Sequence, residues 1–157
     1  MNVRTIIRLV TAAACTAGIA AVGPTGTAQA ADQILFGSPS GNIACAIFAE
    51  GSDGGAGYVR CEVFEYTYTP PPRPPGCYLP DGTPVQSDYG YAIHLSKAHG
   101  AWFNCGGGTL GHPINSFLPY GASVTFGGFT CTSARDGIRC GVGSKSFRIS
   151  RAAYELS

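Results

Sequence analysis

The sequence predicts an all-β domain: a small disulfide-stapled antiparallel β-sandwich, or a barrel-like fold, with long Gly/Pro loops. Three observations predict it. Apolar residues recur with period two, and nowhere with a sustained period of 3.6. Turn signals built on Gly, Pro, Asn and Asp interrupt the chain about every ten residues, the spacing of short antiparallel strands. Six cysteines, Cys45, Cys61, Cys77, Cys105, Cys131 and Cys140, follow an export leader, and an even count in a small exported chain signals a disulfide framework.

Residues 1–30 read as a secretory signal peptide. Arg4 and Arg8 give a positive start, residues 9–22 form an uncharged run rich in alanine, and Thr27-Ala28-Gln29-Ala30 supplies an Ala-x-Ala cleavage site. The run is too short for a membrane-spanning helix, which needs about 20 apolar residues. Cysteine at position 15 follows Ala12-Ala13-Ala14 without the leucine of a lipidation signal, so it reads as a small apolar residue of the leader. Cleavage after Ala30 leaves residues 31–157 as one disulfide-stabilised β domain, inside the roughly 100–200 residues usual for a single domain. Secretion, or retention in the cell envelope, is the expected localisation.

The elements follow in order. Residues 32–36 lead through the turn cluster Gly37-Ser38-Pro39-Ser40-Gly41 into a first hairpin. There Ile43, Cys45 and Ile47 share one face of a strand, and Val59, Cys61 and Val63 one face of the next, with Arg60 and Glu62 outward. A glycine-rich connection over residues 50–57 joins them. Residues 66–75 carry five prolines and must run extended, outside any central strand. Asp81-Gly82-Thr83-Pro84 turns the chain. Tyr89, Tyr91, Ile93 and Leu95 then alternate with Gly90, Ala92, His94 and Ser96, a half-buried strand with His94 on its solvent side. His99-Gly100 turns into Ala101, Phe103 and Cys105, and Gly106-Gly107-Gly108 opens a loop that ends at Leu118-Pro119-Tyr120-Gly121. Val124 and Phe126 give a further strand. A last hairpin, with Phe129 and Cys131 on one arm and Ile138, Cys140 and Val142 on the other, folds about Asp136-Gly137. Phe147 and Ile149 mark a final strand, and residues 151–156 read as one helical turn behind a Ser150 cap, or as a frayed end.

Side-chain parity selects the cysteine pairs. Cys45 and Cys61 meet on the buried side of the first hairpin, Cys131 and Cys140 form a short staple in the last, and Cys77–Cys105 follows by elimination. Three bridges at about 2–4 kcal/mol each are comparable with the roughly 5–15 kcal/mol that holds a whole domain. Zinc is the competing reading, but no C-x2-C pair exists and the histidines show no ligand spacing; no metal or other cofactor is expected.

Composition excludes several functions. Ten Lys+Arg against nine Asp+Glu give a formal charge of +1, and losing Arg4 and Arg8 with the leader takes it to −1. That is no basic field for nucleic acid. An 11% aromatic content and low net charge also argue against a disordered tail.

Catalytic chemistry is thinly supported. A Ser/His/Asp hydrolase needs an exposed serine beside an oriented imidazole. The histidines are His94, His99 and His112, in strand or turn contexts, and no Gly-x-Ser-x-Gly elbow occurs. Glu62, Glu65, Asp81 and Asp88 offer a glycosidase pair only by abundance. The glycine triplet at Gly106 lacks the Lys-Ser/Thr of a phosphate loop. No catalytic residue is assigned. The candidate binding surface is instead the aromatic–proline region, Tyr66, Tyr68, Pro72, Arg73, Tyr78, Tyr89 and Tyr91, because tyrosine and proline offer contact area at low entropic cost. The bland alternative is that these tyrosines cover a thin core.

Several motifs together resemble a known family. They are Ser38-Pro39-Ser40-Gly41-Asn42-Ile43-x-Cys45, Val59-Arg60-Cys61, Pro74-Pro75-Gly76-Cys77, Leu118-Pro119-Tyr120-Gly121, Phe129-Thr130-Cys131, Gly137-Ile138-Arg139-Cys140 and Phe147-Arg148-Ile149-Ser150-Arg151. The series resembles small exported actinobacterial, mycobacterial-type proteins whose cysteine-rich domain has no assigned function. The resemblance implies an exported, disulfide-bonded, mostly β domain and supplies no catalytic residue. The expected function is a non-catalytic extracellular or envelope module that binds a protein or a glycan. The alternatives are a small secreted hydrolase and a protease inhibitor presenting the proline-rich loop.

Overall fold

The computed structural model describes residues 32–51, 56–78, 81–83, 85, 89–106, 108–111 and 115–157. The leader, with Cys15 and the cleavage site, lies outside the described residues, as does His112.

The strands are β1 (Gln33–Gly37), β2 (Ile43–Phe48), β3 (Tyr58–Val63), β4 (Ala92–Ser96) and β5 (Gly100–Phe103), then β6 (Ser123–Phe126), β7 (Phe129–Ala134), β8 (Gly137–Val142), β9 (Lys145–Ile149) and β10 (Tyr154–Leu156). Each five-strand set is an antiparallel meander in which every strand pairs with its sequence neighbour. Both sheets stay open at their edges, so the fold is a sandwich and not a barrel. Among the described residues no helix is long and apolar enough to cross a membrane.

Alternation builds the core. Ile43, Cys45 and Ile47 face inward from β2, Val59, Cys61 and Val63 from β3, and Ile93 and Leu95 from β4. Phe129 and Cys131, Ile138 and Cys140, and Phe147 and Ile149 answer from the second sheet. Fully burying one such aliphatic or aromatic side chain contributes about 1.5–3 kcal/mol. The expected pairs form: Cys45 sits opposite Cys61, and Cys131 opposite Cys140. All three bridges close, with Cys77–Cys105 the third. The two hairpin bridges face each other, Cys61 Sγ lying 3.8 Å from Cys140 Sγ, so the sheets touch at the centre of the core.

Two expectations are corrected. Residues 151–156 are neither a helical turn nor a frayed end, because Tyr154–Leu156 pairs with β9 as strand β10. A turn at Ser150, whose backbone N–H and hydroxyl both bond to Ala153 O, reverses the chain so that the two strands can meet. The β2–β4 region is also not half-solvated. Ala44, Ala46, Glu62, Ala92 and Ser96 point away from the core yet are buried. Part of the reason is the connection from β5 to β6, whose Gly108, Thr109 and Leu110 lie against Arg60 and Glu62 of β3 and whose Phe117 pairs with Gly37 at the β1 edge. Gly37 N–H donates to Ser116 O and Leu118 N–H to Gly37 O, which fixes the far end of this strap.

Candidate functional site

The strap is pinned by charge. Glu62 is fully buried, and its carboxylate accepts from the Leu110 backbone N–H at 3.0 and 3.1 Å and from the Thr109 hydroxyl at 2.8 Å. Arg60 pairs with the same carboxylate and donates to Gly108 O, which also accepts from the Tyr91 hydroxyl. These groups hold backbone.

Beside them His94 occupies a position that sequence alone left as an ordinary surface histidine. Its ring stacks on Tyr58 at 5.5 Å and meets Trp102 edge-on at 5.4 Å. Burial, helped by the Arg60 charge, holds its pKa down to about 4. Its Nε2 is buried and reaches no hydrogen-bond partner among the described residues. The imidazole is therefore neutral at ordinary pH and packed among rings.

The aromatic–proline region assembles, but largely on itself. Tyr66 stacks on Tyr68 at 4.6 Å, and Tyr68 meets Phe103 and Tyr154, so the cluster closes the core between the β5 and β10 edges. The Tyr68 hydroxyl donates to Gly90 O, and burial pushes its phenol pKa up. Arg73 lies over the ring of Tyr89 at 5.0 Å and that of Tyr78 at 5.8 Å. Pro70 packs so closely on Gly90 that a Cβ there would lie 2.2 Å from its ring, at a φ of +96° open to glycine. Tyr66, Pro72 and Tyr78 stay exposed. Tyr91 turns its hydroxyl to the strap instead.

An open concavity lies elsewhere, at the end of the sandwich where the β1–β2 and β7–β8 turns converge. It is a cleft of about 550 Å³ lined by Ser38, Asn42, Phe64, Tyr120, Arg135 and Arg151, among others. The turn residues are held rigidly. The Ser38 hydroxyl accepts from Ile43 N–H and bonds the Ser40 hydroxyl at 3.0 Å. Asn42 clamps the Glu65 backbone from both sides, its amide donating to Glu65 O and its carbonyl accepting from Glu65 N–H, each at 2.9 Å. The Arg135 guanidinium lies 5.4 Å from the Tyr120 ring centre, and Arg151 approaches Glu65 at 3.4 Å.

A family of unknown function (DUF6636) matches the chain over residues 14–156. The chain belongs to that family. No curated protein and no solved structure matches it. In this DUF6636 domain, four of the motifs that carried the resemblance meet at the cleft: Ser38–Ile43, Tyr120, Gly137 and the Ser150-Arg151 pair. Sequence reasoning missed the cleft because its residues come from turns scattered along the chain. The available signal was the polar motif Ser38-Pro39-Ser40-Gly41-Asn42 itself, richer in hydrogen-bonding groups than a plain turn requires.

Proposed function

We propose that the chain is exported, with its leader removed after Ala30, and works in the cell envelope or outside the cell as a non-catalytic binding module. Its ligand site is the cleft around Asn42, Tyr120 and Arg135. The observation that carries this reading is the cleft itself: turns clamped by their own hydrogen bonds hold exposed aromatic rings and guanidinium groups around a concavity of ligand size. Three disulfides suit an oxidising compartment, and the resemblance to small exported actinobacterial proteins points the same way. Tyr66, Pro72, Arg73 and Tyr78 form a second contact region. The segment through Phe64 and Glu65, which line the cleft, continues into Tyr66.

The test is to secrete the full chain with its bridges intact and follow its backbone amide NMR signals during a screen of envelope glycans and proteins. Shifts concentrated at Asn42, Tyr120, Arg135 and Arg151 are expected. Absence of any ligand, together with hydrolytic turnover that disappears in His94→Ala, overturns the reading in favour of a hydrolase. Tight binding to a protease through Pro72 and its neighbours overturns it in favour of an inhibitor.

A further inference from the structure

The polar groups of the cleft divide into those already engaged and those still able to bind. Ser38, Asn42 and Ser150 are engaged with backbone on the walls. The groups that retain capacity are mainly the two guanidiniums. Among the described residues Arg135 has no carboxylate partner; its plane is steadied against the Tyr120 ring, which is 42% exposed. Among the described residues Arg151 pairs with one carboxylate, Glu65, with both side chains mostly in water, at 65% and 73% exposure. An exposed pair of that kind contributes about 0–1 kcal/mol and is readily displaced. Phe64 lines the same cleft, 37% exposed.

Resting on the reading of the cleft as the ligand site, we propose that the ligand is an acidic saccharide, whose carboxylate is gripped by Arg135 and Arg151 while a ring lies against Tyr120. A guanidinium fork matches the planar carboxylate by paired hydrogen bonds. Tyrosine supplies a rigid amphipathic face suited to a sugar ring. A peptide is the less fitting occupant. Peptides are usually read by an unpaired strand edge or by apolar sockets, whereas this cleft is walled by turns and lined by serine, asparagine and glycine. The ligand carboxylate takes the place of Glu65 at Arg151, so Glu65 competes with the ligand.

The experiment titrates the full chain, secreted and oxidised, with an oligogalacturonide and with the same oligosaccharide fully methyl-esterified, which keeps the rings and removes the charge. The acid form is expected to bind at the cleft and the ester at least tenfold more weakly. Arg135→Gln and Arg151→Gln each weaken the acid form about tenfold or more and leave the ester unchanged, the loss expected for a hydrogen bond to a charged group. Glu65→Gln tightens the acid form alone. Melting temperatures of these exposed variants stay near the parent's, which separates lost contacts from lost fold. Equal binding of acid and ester at the cleft overturns the acidic class while keeping the cleft as the site. Tighter binding of tetraglutamate than of the oligogalacturonide overturns the saccharide in favour of an acidic peptide. Silence of the cleft to all three probes overturns the proposal, and the wider screen then judges the cleft separately.

Discussion

At the residue scale, two groups on the outer face of the first sheet have consequences that their sequence context does not suggest. Glu62 is a fully buried carboxylate completed by Arg60, Thr109 and the Leu110 N–H. Removing one partner of a buried ion pair strands the other, at about 3–5 kcal/mol. Glu62→Leu is therefore expected to lose that much stability in urea unfolding and to release the strap, seen as faster hydrogen exchange at Leu110. His94 gives a pH dependence of definite sign. Its folded pKa of about 4 lies below the roughly 6.5 of an unfolded histidine, so between those values the unfolded chain binds more protons. Stability then falls as pH drops from about 6.5 to about 4 and is insensitive to this group above that window. The loss attributable to His94 is at most about 3 kcal/mol. Melting scans across this window check it, and His94→Phe is expected to flatten the profile.

At the element scale, the hairpins were legible because each carries its own register signal. Cys45 and Cys61 sit at matching parity either side of one glycine-rich connection, and Cys131 and Cys140 either side of Asp136-Gly137. Gly137 shows how tight the second turn is: it holds φ +129°, and a Cβ there would lie 2.3 Å from Ile149 O. Gly137→Ala is expected to cost at least about 2 kcal/mol, through strain and a displaced β9, measured by thermal unfolding. The bridges differ too. Cys77–Cys105 spans 28 residues and Cys131–Cys140 only 9. By loop entropy the first stabilises by about 3–4 kcal/mol and the second by about 2–3. The Cys77→Ala/Cys105→Ala double variant is expected to free the proline-rich segment and lower the melting temperature while the core hairpins persist. Strand β10 was not legible. Tyr154-Glu155-Leu156 is only three residues long, too short for its alternation to declare a strand, and the waiting edge of β9 makes it one.

At the scale of the whole molecule, two consecutive meanders face each other with the Cys45–Cys61 and Cys131–Cys140 bridges in contact between them. Full thiol reduction is expected to lower the melting temperature by roughly 20 °C or more, because three bridges are comparable with the entire stability of a domain this size. An unchanged melt after verified reduction would contradict this. Mass spectrometry of secreted material is expected to find a chain beginning at Ala31 with no free thiol.

What the sequence alone determined is everything encoded by near neighbours along the chain: all-β class, inward cysteines, hairpin pairing and the disulfide scheme. Alternation and turn chemistry are local, and a period of two leaves no choice of face. What only the tertiary structure decided is how distant segments meet. The packing of the tyrosines against Phe103 and Tyr154 and the convergence of Asn42, Tyr120, Arg135 and Arg151 on one cleft depend on how the two sheets are set against each other, and the strap that buries Glu62 on the return of a distant segment to the outer face of the first. No spacing along the chain records those distances, because each arises from contacts, some apolar and some charged, between segments dozens of residues apart.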